Sequence, residues 1–243
     1  EEDDLTPEGL NDYETAVGRS VAWVYFSHNW YKNRAFPSNT VSWIYERGSI
    51  PFIRLMLRST NEERDEADPT YALDAILNGD FDQDLVAWGQ AAAEYDAPLI
   101  VEYGTEMNGE WFPWNGRWNG GEDDGTERFR ATYRHIVRTI CNAGATNVRW
   151  VFHVNDDDAP EEEWNAFENY YPGDDAVDWL GVSVYGALTP LEDEWPLFGD
   201  GMDEAVPRLT ALAPTKPIFV LEFGVTKNNP LGDPAQWTDA ALT

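Results

Sequence analysis

Short apolar runs of strand length alternate with segments of helical period along nearly the whole chain, and few folds satisfy that rhythm. Residues 21–26, 50–57, 98–103, 148–154, 177–184 and 218–223 read as buried strands, each apolar and bounded by turn or polar residues. Helical stretches are predicted at 7–17, 39–47, 69–78, 82–95, 127–142 and 203–212. Thr6 before Pro7 supplies an N-cap and a proline at the first helical position, and Gly18 supplies a stop. Within 127–142, Phe129, Tyr133, Ile136, Val137 and Ile140 share one face; within 82–95, Leu85, Val86, Ala92 and Ala93 do. Strands separated by helices pair in parallel through right-handed crossovers. No Gly-rich phosphate loop follows the first strand, which favours a barrel over a doubly wound sheet. The expected class is α/β, a (β/α)8 TIM barrel, and 243 residues is close to the roughly 250 typical of one. Six strands are two short of eight. The expectation is therefore an incomplete barrel lacking its first and last strands, a single catalytic domain over 1–243 that is a fragment starting inside its gene product.

Charge narrows the partners. The chain carries 16 Lys and Arg against 45 Asp and Glu, for a formal net charge of −29. Acids are spread along the whole length rather than gathered in a tail, as salt-adapted surfaces require. That surplus excludes nucleic acid and anionic membranes as expected partners, since phosphate binding draws on clustered Lys and Arg. The run at 156–163 reads as a solvated loop. A neutral polysaccharide or oligosaccharide is compatible with such a surface, and 12 Trp offer more flat apolar rings than a core needs. Cys141 is the only cysteine and reads as a small core residue; no disulfide or thiolate cluster is possible within the chain. No apolar run approaches the ~18 residues of a membrane span. The three histidines, His28, His135 and His153, lack metal-ligand spacing, His135 reading as structural, and no Gly-x-Ser-x-Gly elbow occurs. No metal or cofactor is expected.

Two strand ends carry chemistry. The strand at 98–103 leads into Glu106-Met107-Asn108-Gly109 and then Trp111-Phe112-Pro113-Trp114, and the strand at 218–223 delivers Glu222-Phe223-Gly224. Reactive residues of barrels lie at the C-terminal strand ends. Glycoside hydrolysis needs two carboxyl groups flanking one bond, one giving a proton to the leaving oxygen while the other attacks or activates water. Either glutamate alone would pass for a salt-bridged surface acid; the two contexts together point to glycosidase chemistry.

In these segments the chain resembles glycoside hydrolase family 26, the β-mannanase family. The stretches at 144–151, 171–174 and 177–181 agree with it in type and order, so that the resemblance spans roughly residues 10–240. It implies a retaining endo-acting enzyme with Glu106 as acid/base and Glu222 as nucleophile. The implied substrate is β-1,4-mannan, with β-glucan and β-1,3-xylan as alternatives within the same family. A binding protein on a degenerate glycosidase barrel is the alternative from another class. The resemblance also implies a His at 105 and an Arg at 102, where this chain has Thr105 and Glu102. A second carboxylate there either raises the pKa of a close neighbour or pairs with Arg54 of the adjacent strand. Tyr185 resembles the tyrosine that hydrogen-bonds the nucleophile. Trp111 and Trp114 are candidate sugar platforms, and Asn108, His153, Asn155, His28 and Trp30 are candidate cleft residues. Glu110 reads as surface.

Taken with the charge, these features predict a monomer secreted or displayed at the cell surface in a salty medium. Its melting temperature is expected to rise between low and molar salt; identical melting across that range would contradict the salt adaptation.

Overall fold

The structure is a computed structural model describing residues 5–62 and 66–242. Helix α1 (Pro7–Val17) starts where Thr6 accepts a hydrogen bond from the Gly9 amide, and ends where Gly18 adopts φ 73°. Six strands follow, with α-helices between consecutive strands except the fourth and fifth. They comprise β1 (Trp23–Asn29), α2 (Ser38–Glu46), β2 (Ile50–Met56), α3 (Leu73–Leu77), α4 (Asp82–Ala92), β3 (Leu99–Tyr103), α5 (Gly121–Asn142), β4 (Val148–Asn155), β5 (Trp179–Tyr185), α6 (Phe198–Leu212) and β6 (Ile218–Gly224). Helix α7 (Pro234–Leu242) closes the described chain. No described helix is long and apolar enough to cross a membrane.

Among the described residues the six strands form one parallel sheet in the order β1-β2-β3-β4-β5-β6. The sheet curls until its two ends meet. Trp23 of β1 and Phe219 of β6 touch edge to face at 5.9 Å between ring centroids, and the Tyr25 hydroxyl reaches Glu222 Oε1 at 3.1 Å. This is an incomplete (β/α)8 barrel. Alternation along each strand divides the side chains between two cores. Phe52, Ile100 and Val151 form the floor of the barrel interior, with Tyr25, Ile50, Trp179 and Leu221 packed against them. The larger core lies between sheet and helices, where Trp88, Tyr133, Phe129 and Phe152 are wholly buried.

The structure moves several expected boundaries. Helix α5 begins at Gly121, six residues before the predicted start, because Gly125 permits close approach. A Cβ there would collide with the backbone of Gly116 in the segment that follows the Trp-rich loop. The buried face of α4 is Leu85, Trp88, Gly89 and Ala92, whereas Ala93 is exposed. Cys141 is exposed rather than core, since it lies one residue, about 100° of helix turn, past the buried Ile140. The acidic run at 156–163 is not wholly solvated either: Asp156 is buried, and Asp158 pairs with Arg208 of α6 at 2.7 Å.

Candidate active site

The C-terminal ends of β3 and β6 bring the two predicted carboxylates to one mouth of the barrel. β3 passes through Gly104, at φ 68°, where a Cβ would enter the ring of Phe129. Glu106 then takes φ 47°, the one positive φ outside glycine among the described residues. A left-handed glutamate costs energy, and it persists only where its surroundings over-determine it. Here the Glu106 amide donates to the His153 carbonyl at 2.9 Å, and the Gly109 amide donates to the Glu106 carbonyl at 2.8 Å. The indole of Trp111 folds back across Gly109, which has no side chain to block it, and its Nε1 donates to Glu106 Oε2 at 2.9 Å. Asn155 Nδ2, at the end of β4, donates to Oε1 at 3.1 Å. Both oxygens of Glu106 thus face neutral donors.

Glu222 has a different environment. A bulge between Val182 and Ser183 of β5 places Ser183 opposite Glu222 and leaves Leu221 as the extra residue of β6. Bulges re-aim side chains beside functional sites, and here Leu221 stays on the barrel floor while Glu222 reaches the polar layer above it. Tyr185 donates to Oε2 at 2.9 Å, and Arg54 Nη2 lies 3.2 Å from Oε1, the oxygen that Tyr25 also reaches. Burial alone would raise the pKa of Glu222, but Arg54, then His153, then the two tyrosine hydroxyls bring it below the ordinary value. The nucleophile candidate is held as a carboxylate.

Beneath the pair lies a buried cluster that the sequence reading found only in part. Glu102 is fully buried and pairs with Arg54 Nε at 3.5 Å, the outcome expected if it does not crowd Glu106. It also accepts a short hydrogen bond from Tyr25 and lies 2.8 Å from His153 Nδ1. His153 Nδ1 also meets Thr105 Oγ1 at 2.9 Å, and its Nε2 meets Ser183 Oγ at 2.7 Å. His153 is buried beneath the cleft rather than lining it. Tyr25, Arg54 and Ser183 were not among the predicted site residues. An arginine inside the apolar run 50–57 was the sequence signal of Arg54, and a polar Tyr-x-Ser alternation in β1 that of Tyr25.

Other predicted residues fall elsewhere. His28 sits on the opposite face of β1 from Tyr25, where its Nδ1 accepts from Trp88 Nε1 at 3.3 Å and burial depresses its pKa to about 4. Trp30 is core, packed edge-on against Tyr71 and Phe81. Trp114 is buried too, stacked on Phe112 at 4.6 Å with its Nε1 donating to the Thr105 carbonyl, so it offers no platform to a sugar. Asn108 is a brace: its amide donates to the Asn155 and Asp157 carbonyls and to Asp158, while its oxygen accepts from the Asn155 amide. Glu110 pairs with Arg117 at the surface, and His135 with Asp82. Trp111, Tyr185 and Asn155 are the predicted residues that do contact the carboxylate pair. Among the described residues no group of three His, Cys, Asp or Glu side chains is arranged to hold a metal ion.

Comparison with known proteins agrees with this geometry. Residues 58–206 match the family described as Glycosyl hydrolase family 26. The chain is 27% identical over 234 residues to Endoglucanase H of Acetivibrio thermocellus, covering 96% of this chain and 24% of that protein. It is 28% identical over 150 residues to Beta-1,3-xylanase TXYA of a Vibrio species, covering 60% of this chain and 28% of the other. The chain thus spans about a quarter of the length of these curated relatives. A solved Bacillus subtilis mannanase superposes with a TM-score of 0.69 at 18% identity, over 99% of this chain and 73% of that one. The GH26 domain of an endo-β-mannanase/endo-β-glucanase from Prevotella bryantii gives 0.68 at 15%, over 96% and 77%. At such identities the likeness is one of fold.

One further acid borders the site. Asp156 follows Asn155, and its carboxyl rests on Gly201 of α6, where any Cβ would collide with it. Burial, then Asp157 and Glu106, raise its pKa from 3.8 to about 7. Between those values the native state holds a proton that the unfolded chain has released, so this residue's contribution to stability falls as pH rises through that window. Asp156→Asn cannot ionise. Its stability relative to the parent, measured by denaturant unfolding, is expected to grow across the window by on the order of 4 kcal/mol. A difference that does not change with pH would contradict the assignment.

Proposed function

The chain belongs to glycosyl hydrolase family 26, and from that premise we propose that it is a retaining endo-glycoside hydrolase acting on a β-linked polysaccharide, with Glu222 as nucleophile and Glu106 as acid/base. The observation that carries the reading is the contrast between the two carboxyl groups. Glu222 faces a guanidinium and two phenols, which favour its anion; Glu106 faces an indole and an amide. A guanidinium and two phenols suit the residue that must attack as an anion, which leaves the proton-donor role to Glu106.

In the first displacement an oxygen of Glu222 bonds to the anomeric carbon while the bond to the leaving oxygen breaks and takes the proton of Glu106. A glycosyl ester on Glu222 results. Glu106, now a carboxylate, removes a proton from water as that water attacks the anomeric carbon and frees Glu222. Trp111 and Asn155 stay on Glu106 throughout and hold it in position for both transfers. Trp111 is partly buried against the core, and what remains exposed of its indole lies beside Glu106, where a sugar ring could meet it.

The resemblance in sequence implies β-1,4-mannan as substrate. The relatives matched along the sequence carry the names of an endoglucanase and of β-1,3-xylanases, whereas the mannanases are matched by fold alone. Glu102 and Thr105 also depart from the β-mannanase pattern. These facts favour β-glucan, then β-1,3-xylan, ahead of mannan. The test is hydrolysis of the three polymers in molar salt, followed by reducing ends. Glu222→Ala is expected to lose at least about 10³-fold in kcat on the best polymer, and Glu106→Ala about 10²–10⁴-fold. Near-parental activity in Glu222→Ala would sink the assignment. Binding of all three polymers without turnover would favour a binding protein instead.

A further inference from the structure

We propose that His153, acting through Glu102 and Tyr25, is the positioning residue that keeps the carboxylate of Glu222 charged and in place; the inference rests on the function proposed above. His153 is fully buried and makes its hydrogen bonds to Glu102, Thr105 and Ser183, so its charge reaches Glu222 across space while its hydrogen bonds act on Glu222 through neighbours. Two counts support it.

The first count is of charge. Arg54 is shared between Glu102, at 3.5 Å from its Nε, and Glu222, at 3.2 Å from its Nη2. One guanidinium cannot neutralise two carboxylates in a cluster where Glu102 has no exposed surface. An imidazolium at His153, 2.8 Å from Glu102, balances the set at two against two. Both ring nitrogens have partners able to accept: Glu102 and Thr105 at Nδ1, Ser183 at Nε2. The second count is of protons. The Tyr25 hydroxyl has one proton and faces carboxylate oxygens of both Glu102 and Glu222. It serves Glu222 better the more fully Glu102 is supplied from elsewhere, and His153 adds to the supply from Arg54. Loss of the imidazole's charge, whichever nitrogen keeps its proton, leaves Glu102 a stronger acceptor, so that the phenol proton is drawn toward it and away from Glu222.

Around His153, Glu102 is in contact, Glu106 and Glu222 act on it across space, and Tyr25 from β1 and Arg54 from β2 stand one step out against Glu102. Burial alone would depress the imidazole, but Glu102 first, then Glu222 and Glu106, lift it above the ordinary histidine value. Support for the nucleophile is therefore present below that raised value and fades as pH rises through it.

The experiment pairs nitrogen-15 NMR of the imidazoles with pH–rate profiles. The chain has three histidines, so His153 can be assigned by comparison with His153→Gln. In the parent protein His153 is expected to stay protonated at both nitrogens through neutrality, and to lose that proton at lower pH in Glu102→Gln. His153→Gln is expected to lower kcat about tenfold or more, with KM within about twofold, and to remove the alkaline limb that the imidazole sets. A neutral His153 near neutral pH overturns the proposal, as does a His153→Gln profile that keeps the parent's shape. Should His153→Gln fail to fold, the NMR titration of the parent and of Tyr25→Phe decides instead: the imidazole must remain cationic in both. Glu222→Ala, assayed alongside, separates the two claims. Activity in that variant defeats the function itself, whereas an inactive Glu222→Ala beside an unshifted His153→Gln profile defeats only the role of His153.

Discussion

Arg54 holds together two carboxylates that would otherwise repel each other out of water. Glu102 contributes from β3 at the Nε of the guanidinium and Glu222 from β6 at its Nη2, and Tyr25 from β1 bridges the same two acids. Removing an ion from water costs several kcal/mol even after relaxation, so the arrangement survives only if each charge has partners in good geometry. That requirement reaches through the fold. Register places Arg54 beside Glu102, the bulge at Leu221 turns Glu222 toward them, and the curl of the sheet brings β1 and β6 within hydrogen-bonding range.

Around this cluster the loop after β3 is built to hold one glutamate in a conformation it would not choose. Gly104 lets the chain turn over Phe129, Gly109 lets Trp111 fold back, and Asn108 ties the loop to the segment after β4. Asp158 extends the brace outward to Arg208, which also pairs with Glu168 and lies 3.9 Å from the Phe167 ring. A strained residue supported on all sides is pre-organised: little has to move when a substrate arrives. The two carboxylates thus differ in support as well as in charge. Glu222 is fixed by ionic partners inside the barrel, and Glu106 by the covalent path of its loop.

Much of this was legible in the chain. Six apolar runs gave six strands, Thr6 and Gly18 bounded a helix, and the glutamates at two strand ends met in one site. The sequence reading failed where facing and depth decide the outcome. His28 and Tyr25 lie on one strand three residues apart, and strand parity sends them to opposite faces, but that parity can be read only once the register is known. Trp30 and Trp114 are core because the loops around them fold inward, which composition does not reveal. Glu102 was recognised as a departure, and Arg54 as its partner, yet the fourfold arrangement with Tyr25 and His153 depends on four strands at once. Local patterning cannot reach that far.

The central claim is that Glu222 forms a covalent glycosyl ester that Glu106 then helps to hydrolyse. The most direct measurement is proton NMR of the products in the first minutes of hydrolysis of the best polymer, before the anomers equilibrate. The account predicts that the β-anomer of the new reducing end appears first, because two displacements restore the original configuration. First appearance of the α-anomer would mean a single displacement by water and would contradict the assignment of Glu222 as nucleophile.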